Sequence, residues 1–249
     1  MDSEHAEMVR LLWGPHPRPA RGPRPTLDLP RIARAGIEIA DAEGLADVSM
    51  QRVAERLGVT KMALYRYVPG KAQLVALMVE AAIGPCPAPA PAPAPGRPPG
   101  GWREQLEAWA RQLLALFLQH SWVLAATVGP RVQGPGELSW LERAVSALDG
   151  TGLTGAERMD AAVLLVGHVR GITQQAHAAG GPTGDPEAQL GAILRDLIQS
   201  HGDSYPALTA AFASAAESDG RDQAWEFGLQ RILDGLAALI DRRAASHQP

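Results

Sequence analysis

Cysteine and lysine are the residue types that this sequence nearly lacks. Cys86 is the single cysteine among 249 residues, so neither a disulfide within the chain nor a cysteine-based metal site can form. The seven histidines include no pair four residues apart, the spacing that places two metal ligands on one helix face. We therefore predict that the protein holds no metal and no cofactor.

Long apolar runs and catalytic patterns are also missing. No run reaches the roughly 18 to 20 apolar residues of a membrane span, and acidic residues occupy the N-terminus, where a signal peptide would be apolar. We expect a cytoplasmic protein without a membrane partner. No glycine-rich segment ends in the Gly-Lys-Ser/Thr of a phosphate loop. Asp160 and His168 lie more than two helical turns apart, too far for an acid–base pair, so we expect no enzymatic activity.

Positive charge is concentrated at the front of the chain. The net charge is −4, but residues 1–78 hold 11 Lys and Arg against 9 Asp and Glu, whereas residues 79–249 hold 12 against 18. Both lysines, Lys61 and Lys71, lie in the front part. A local basic excess favours nucleic acid as a partner. The composition is also typical of a GC-rich genome, in which lysine is simply scarce.

Proline is abundant in two segments that divide the chain. Residues 1–27 combine prolines with arginines, which predicts an extended basic arm that either lies in a DNA minor groove or stays solvated. Residues 84–101 read GPCPAPAPAPAPGRPPGG, which predicts a Pro/Ala-rich linker. The sequence thus predicts one domain over residues 28–83 and a second over residues 102–249.

The periodicity of the second domain is helical throughout, without alternating β-branched segments. We predict helices near residues 102–119, 121–127, 137–148, 155–178, 187–200, 206–216 and 221–243. In the first domain, Asp28 is a predicted cap and Gly44 a predicted end of a helix. The predicted fold class is all-α.

Residues 49–71 have the pattern of two short helices joined by a tight turn. Ser49 and Thr60 are predicted N-caps, and Gly58 lies where the turn needs a residue that tolerates positive φ. In the second helix Ala63 and Leu64 are spaced to face inward, which leaves the outer face to Lys61, Met62, Tyr65 and Tyr67. A short helix of this kind fits the major groove of DNA, about 12 Å wide.

These outer side chains have the chemistry for DNA recognition. Thr60 and Tyr65 can hydrogen-bond to a phosphate or a base edge, Lys61 can reach guanine acceptors, and Met62 can contact a thymine methyl group. We predict that Arg66 and Lys71 hold the DNA backbone. The short Ala-x-x-Leu-Gly-Val pattern by itself fits a buried helical hairpin equally well.

The longer string is more specific. Residues 30–80 resemble, without a gap, the DNA-binding domain of the TetR family of one-component regulators. The resemblance is carried by the segments Ala42-Glu43-Gly44-Leu45, VAERLGV from Val53 and ALYRYVPGK from Ala63. It implies that residues 60–66 form the recognition helix, that Tyr65, Tyr67 and Lys71 clamp phosphates, and that the neighbouring backbone or groove is approached by Ser49, Gln51 and Arg52.

The resemblance also implies an all-α regulatory domain that dimerises through its last helices and holds a small-molecule pocket. Wide apolar stripes on helices 155–178 and 221–243 are consistent with a four-helix bundle between two copies, although a monomeric core also explains them. The candidate interface residues are Val166, Val169, Ile172, Leu229, Leu233, Leu236 and Ile240. A homodimer of this kind predicts a palindromic double-stranded DNA operator.

Aromatic and apolar side chains with a few polar groups are candidates for lining the pocket. They are Trp109, Leu113, Phe117, His120, Trp122, Trp140, Val163, His168 and Arg170, and core packing explains most of them equally well. The resulting hypothesis is a repressor that binds its operator as a dimer and is released by a small apolar or drug-like ligand. The alternative is a DNA-binding regulator whose C-terminal domain only dimerises or binds a protein partner.

Overall fold

The computed structural model describes residues 3–14, 27–88, 101–178, 186–217 and 224–246. All regular structure in these ranges is helical, which confirms the predicted all-α class. The helices are α1 Ser3–Trp13, α2 Leu29–Glu43, α3 Met50–Leu57, α4 Lys61–Tyr65, α5 Lys71–Ile83, α6 Trp102–Gln119, α7 Trp122–Ala126, α8 Pro135–Ala147, α9 Gly155–Ala178, α10 Pro186–His201, α11 Pro206–Glu217 and α12 Ala224–Ser246. Among the helices of these ranges, none combines the length and the apolar composition that a membrane-spanning segment needs.

Helix α1 differs from the prediction of an extended arm over residues 1–27. The residues of α1 contain no proline, because the prolines begin only at Pro15, and α1 packs against α5. Leu12 is buried there, and the Trp13 indole Nε1 donates a hydrogen bond to the Gln133 carbonyl at 2.9 Å. The arginine-containing remainder of the predicted arm, residues 15–26, lies outside the described residues.

Helices α2 and α5 form the centre of the first domain. The Asp28 side chain caps α2 by accepting a hydrogen bond from the Arg31 amide at 2.8 Å, and Gly44 ends the helix with φ 96°, both as predicted. Ile32 and Leu74 are fully buried in this core. A side chain at Gly36 would place its Cβ 2.6 Å from the Met78 sulfur, so this glycine allows the two helices to approach closely.

The chain forms two compact units, residues 1–162 and residues 163–249. The first unit contains residues on both sides of the predicted Pro/Ala linker, of which residues 89–100 lie outside the described part. At the end of α5, the Gly84 carbonyl accepts a hydrogen bond from the Trp140 indole at 3.2 Å, and the Cys86 amide donates one to the Ser139 hydroxyl at 2.7 Å. Helix α8 is thereby attached directly to the end of α5.

Helix α9 begins with the predicted capping box. The Thr154 amide donates to the Glu157 carboxylate at 2.8 Å, and the Glu157 amide donates back to the Thr154 hydroxyl at 3.2 Å. In the second unit, the His168 ring on α9 stacks on Trp225 of α12 with a centroid distance of 5.2 Å. The His168 Nε2 lies 2.9 Å from the Trp225 carbonyl and donates to it.

Candidate nucleic-acid interface

The turn between α3 and α4 has the geometry that the sequence predicts. Gly58 adopts left-handed φ and ψ of 67° and 31°, which its missing side chain permits at little cost. The Val59 amide donates to the Ala54 carbonyl at 3.0 Å, and the Gly58 amide donates to the Glu55 carbonyl at 3.1 Å. The last carbonyls of α3 are satisfied in this way, and the chain turns directly into α4.

Side-chain caps define the first turns of both helices. The Ser49 hydroxyl accepts a hydrogen bond from the Arg52 amide at 3.2 Å, and the Thr60 hydroxyl accepts one from the Ala63 amide at 3.2 Å. Each bond satisfies an amide that would otherwise have no partner within its helix. Both predicted caps are therefore confirmed. Thr60 is exposed, so its side chain stands at the surface from which α4 starts.

The two faces of α4 are clearly different. Leu64 is fully buried, while Met62 is 72% exposed, Tyr65 37% and Tyr67 41%. The Lys61 Nζ lies 5.8 Å from the centroid of the Tyr65 ring, within the range of a cation–π contact. The side chains predicted to contact DNA therefore stand outward on α4 and on the loop that follows it.

The remaining predicted cations are also at the surface. Arg66 and Lys71 are exposed, and Lys71 is the first residue of α5. Gly70 precedes it and provides no side-chain cap for the first turn of α5, a helix end that favours anions. Lys61, Arg66 and Lys71 thus give this face a positive charge, which suits a phosphate backbone.

Arg52 has a different environment from the other predicted DNA contacts. Its guanidinium pairs with the Glu43 carboxylate at 2.6 Å and with the Asp47 carboxylate at 3.2 Å. The hydrogen bond from Arg52 lowers the pKa of Glu43, and the same bond raises the pKa of Arg52. Arg52 therefore ties α3 to the end of α2 and to the 3₁₀ turn Leu45–Asp47.

Gln51 lies on the exposed face of α3, beside Arg52. Its amide Nε2 donates to the Glu55 carboxylate at 2.6 Å, one helical turn further on. This contact holds the Gln51 amide in one orientation at the surface. Ser49, Gln51 and Arg52 are therefore all engaged in local contacts, and a role for them at the DNA stays a prediction.

The structure distributes the predicted pocket residues over both units. In the first unit, five apolar side chains are buried and His120 is mostly buried; the five are Trp109, Leu113, Phe117, Trp122 and Trp140. The Trp109 and Trp140 rings meet edge to face at 6.2 Å, and the Trp109 indole donates to the Trp140 carbonyl at 3.0 Å. Val163, His168 and Arg170 belong to the second unit, where Val163 is 62% exposed.

The predicted dimer residues fall into two groups. Four are already buried within one chain, namely Val169, Leu229, Leu233 and Leu236. The other three, Val166, Ile172 and Ile240, are partly exposed. The outer faces of α9 and α12 also carry exposed apolar residues that the prediction did not include, of which Leu164 is 54% and Phe227 68% exposed.

Two carboxylates with specific partners were not among the candidates. Asp41 on α2 accepts hydrogen bonds from His120 and Trp122, and Glu80 on α5 accepts one from the Gly136 amide at 2.7 Å. Each pair is separated by more than fifty residues along the chain, so no local spacing connects the partners. Only the packing of α7 and α8 against the first domain brings these groups together.

Two family profiles match the chain. "Bacterial regulatory proteins, tetR family" matches residues 32–78, which include α3 and α4. "Tetracyclin repressor-like, C-terminal domain" matches residues 93–240. The matched ranges together include most of the chain, and the first contains the surface described above.

Individual relatives are similar over nearly the whole chain. The HTH-type transcriptional repressor DrrR1 of Streptomyces coeruleorubidus is 38% identical, over 98% of this chain and 90% of that protein. Apo ActR from Streptomyces coelicolor superimposes with a TM-score of 0.68 at 25% identity, over 88% of this chain and 99% of ActR. ActR in complex with actinorhodin gives a TM-score of 0.66 at 26% identity, over 85% of this chain and 96% of ActR.

Proposed function

Because the chain belongs to the TetR family of bacterial regulatory proteins, we propose that it represses transcription by binding an operator through α3 and α4. The observation that carries this proposal is the outward surface of α4 and the loop after it, where Lys61, Met62 and Tyr65 on the helix and Tyr67 in the loop stand exposed while Leu64 is buried. DrrR1, a relative of similar length, is itself a transcriptional repressor. A regulator of this kind works in the cytoplasm, where operator DNA is found.

Contacts with DNA divide into those that read bases and those that hold the backbone. Lys61 and Met62, in the first turn of α4, enter the major groove and meet base edges. Tyr65 supports Lys61 through the contact with its ring and offers its hydroxyl to a base or a phosphate. Arg66, Tyr67 and Lys71 contact phosphates, whose charge they neutralise.

A homodimer would bind two half-sites with one recognition helix each, which makes the operator palindromic. The exposed face shared by Val163, Leu164 and Gly167 on α9 supports this part of the proposal, together with Phe227 and Gly235 on α12. A Cβ at Gly167 or Gly235 would meet nothing within 4 Å in the single chain, which leaves room for close approach of another helix. Leu229 and Leu233, buried in one chain, hold α12 in place beneath this face.

The effector of the proposed repressor is a small apolar or drug-like compound. ActR, which is similar over most of the chain, has been solved with actinorhodin bound. In this chain, the indole and phenyl rings around α6 and α8 supply the flat apolar surfaces that such a compound needs. The effector would release DNA only if it binds the DNA-free arrangement more tightly than the DNA-bound one.

Selection of bound sequences from random double-stranded oligonucleotides tests the DNA-binding part. We expect a palindromic consensus, and we expect Lys61→Ala to weaken binding to it by about 1–3 kcal/mol. Arg242→Ala, at an exposed position near the end of α12, removes the same charge and serves as the control. Equal binding by the two variants would contradict the assignment of α4, and the absence of any enriched sequence would contradict the proposed function.

Sedimentation velocity tests the dimer. Leu164→Glu places a carboxylate on the proposed α9 face, where burial of an unpaired charge is costly. We expect this variant to sediment as a monomer. Val128→Glu changes an equally apolar residue that is 72% exposed in the loop after α7, and it should remain dimeric. A dimeric Leu164→Glu variant would show that α9 does not form the interface.

Thermal melting with small apolar and drug-like compounds, beginning with actinorhodin, tests the effector. A ligand that binds only the folded state must raise the melting temperature by mass action. A compound that raises it should also weaken operator binding. Compounds that raise the melting temperature without changing the affinity for DNA would contradict release by an effector. If no compound changes the melting temperature, a C-terminal domain that only dimerises or binds a protein partner is favoured.

A further inference from the structure

Asp41 joins the DNA-binding domain to the corner between α6 and α7. One oxygen of its carboxylate accepts a hydrogen bond from the Trp122 indole at 2.7 Å. The same oxygen lies 2.8 Å from the His120 Nδ1, which must carry a proton to donate to it. Asp41 is in the last turn of α2, whereas His120 and Trp122 flank the start of α7.

The two donors are held in position by their own surroundings. Trp122 is buried, the His120 side chain is only 12% exposed, and the two rings meet edge to face at 6.3 Å. The Asp41 side chain is 33% exposed, so water competes with these bonds only in part. Hydrogen bonds to a charged acceptor at such distances are among the stronger ones in proteins.

The end of the same helix is also attached to α3. Glu43, two residues after Asp41, pairs with Arg52 of α3, and Asp47 in the following 3₁₀ turn pairs with the same guanidinium. Helix α7 packs against this turn as well. The end of α2 is therefore attached to the α6–α7 corner through Asp41 and to α3 through Glu43. These contacts form one continuous connection from the corner to the helices proposed to face DNA.

We propose that Asp41 is a positioning residue for operator binding, which holds α3 and α4 in the arrangement that fits the operator. This inference rests on the proposed function, because it concerns how the same surface is regulated. His120 and Trp122 are also among the residues predicted to line the effector pocket. An effector that displaces either ring would therefore remove a hydrogen bond from Asp41 directly.

Two explanations of how an Asp41 variant acts predict opposite changes in its affinity for DNA. Removal of a carboxylate from a DNA-binding domain lowers its repulsion from phosphates, so charge alone predicts tighter binding. Without the positioning contacts, the recognition helix is no longer held in the position that fits DNA. Fixing it there on binding costs free energy, so the affinity for DNA falls. The direction of the change therefore distinguishes a positioning role from a general electrostatic one.

The test is a titration of the full-length protein with its selected operator. We expect Asp41→Ala to weaken binding about tenfold, and Asp41→Asn, which loses the same charge but keeps an acceptor, to weaken it by less. The dependence of affinity on salt should stay unchanged, because the cations that contact phosphates are untouched. Asp160→Ala, at an exposed position on α9, is the control for loss of a carboxylate.

Trp122→Phe keeps an aromatic ring but removes the donor. We expect it to weaken binding several-fold in the wild-type background and to have no effect in the Asp41→Ala background, since the two groups share one interaction. Circular dichroism shows whether Asp41→Ala is folded. If it is not, Trp122→Phe and Asp41→Asn are used for the test instead. Tighter binding by Asp41→Asn, or variants that bind like Asp160→Ala, would overturn the inference. Failure of the wild-type protein to bind any operator would instead overturn the proposed function.

Discussion

Gly136 lies where α5 and α8 meet, and its replacement by alanine should destabilise the protein. The Gly136 amide, in the first turn of α8, donates to the Glu80 carboxylate at 2.7 Å. A Cβ at residue 136 would lie 2.8 Å from the Glu80 Oε1 and 2.9 Å from the Gly84 carbonyl oxygen. Real Cβ atoms do not approach so closely. Because Gly84 contributes a backbone atom, the contact cannot be relieved by a side-chain rotation alone.

The expected change in the free energy of unfolding is the difference between one stabilising contribution and two destabilising ones. In an exposed helical position, alanine is more favourable than glycine by about 0.5–1 kcal/mol. Overpacking against fixed neighbours costs about 1–3 kcal/mol, and displacement of Glu80 also weakens a hydrogen bond to a charged group, worth about 1.5–3 kcal/mol. We expect a net loss of about 1–3 kcal/mol. For a unit of this size, that corresponds to a melting temperature lower by about 2–12 °C.

Urea unfolding followed by circular dichroism measures the effect, with Gly191→Ala as the matched control. Gly191 lies within α10, and a Cβ there would meet nothing within 4 Å, so the same substitution should stabilise the protein slightly. The two variants should therefore change the unfolding free energy in opposite directions. A Gly136→Ala variant as stable as Gly191→Ala would refute the close contact between α5 and α8.

Two further predictions concern titratable groups. The pKa of Glu43 is lowered by its hydrogen bond from Arg52, so its ionised form contributes stability above the unfolded-state pKa and loses it as the pH falls through the folded-state value. The stability difference between the wild type and Glu43→Gln should thus be present at neutral pH and disappear as the pH falls below the lowered folded-state pKa, and a difference that stays the same size in strongly acidic solution would contradict the ion pair. Burial raises the pKa of the Cys86 thiol, so iodoacetamide should alkylate it more slowly at pH 7.5 than it alkylates free cysteine. Equal rates in the folded protein would show that Cys86 is not shielded.

Local patterns in the sequence were sufficient for the helices other than α1 and for the outward-facing side chains of α4. Caps such as Ser49 and Thr60, and the turn at Gly58, depend on hydrogen bonds between residues at most five positions apart, and all of them are confirmed. The inward position of Leu64 and the outward position of Met62 follow from helical periodicity in the same way. Membership of the family likewise confirms the prediction of a DNA-binding regulator without enzymatic activity.

The prediction was wrong for the N-terminal segment, because the proline content of its second half was taken to describe the whole segment. Residues 1–27 were predicted to be an extended arm on the basis of their prolines, but α1 occupies residues 3–13, before the first proline. The helix is stabilised by packing of Leu12 and by the bond from Trp13 to Gln133, a residue 120 positions away. Such a distant partner leaves no mark on the local sequence.

Apart from α1, the sequence by itself determined where the helices form and which side of α4 faces outward, because both depend on neighbours within one or two turns. Only the tertiary structure decided how the first domain is connected to the rest of its unit. The packing of α7 and α8 on the first domain brings residues that are distant in the sequence within hydrogen-bond distance: Asp41 meets His120 and Trp122, and Glu80 meets Gly136. The physical reason is that a hydrogen bond depends on separation in space, whereas periodicity reports only separation along the chain.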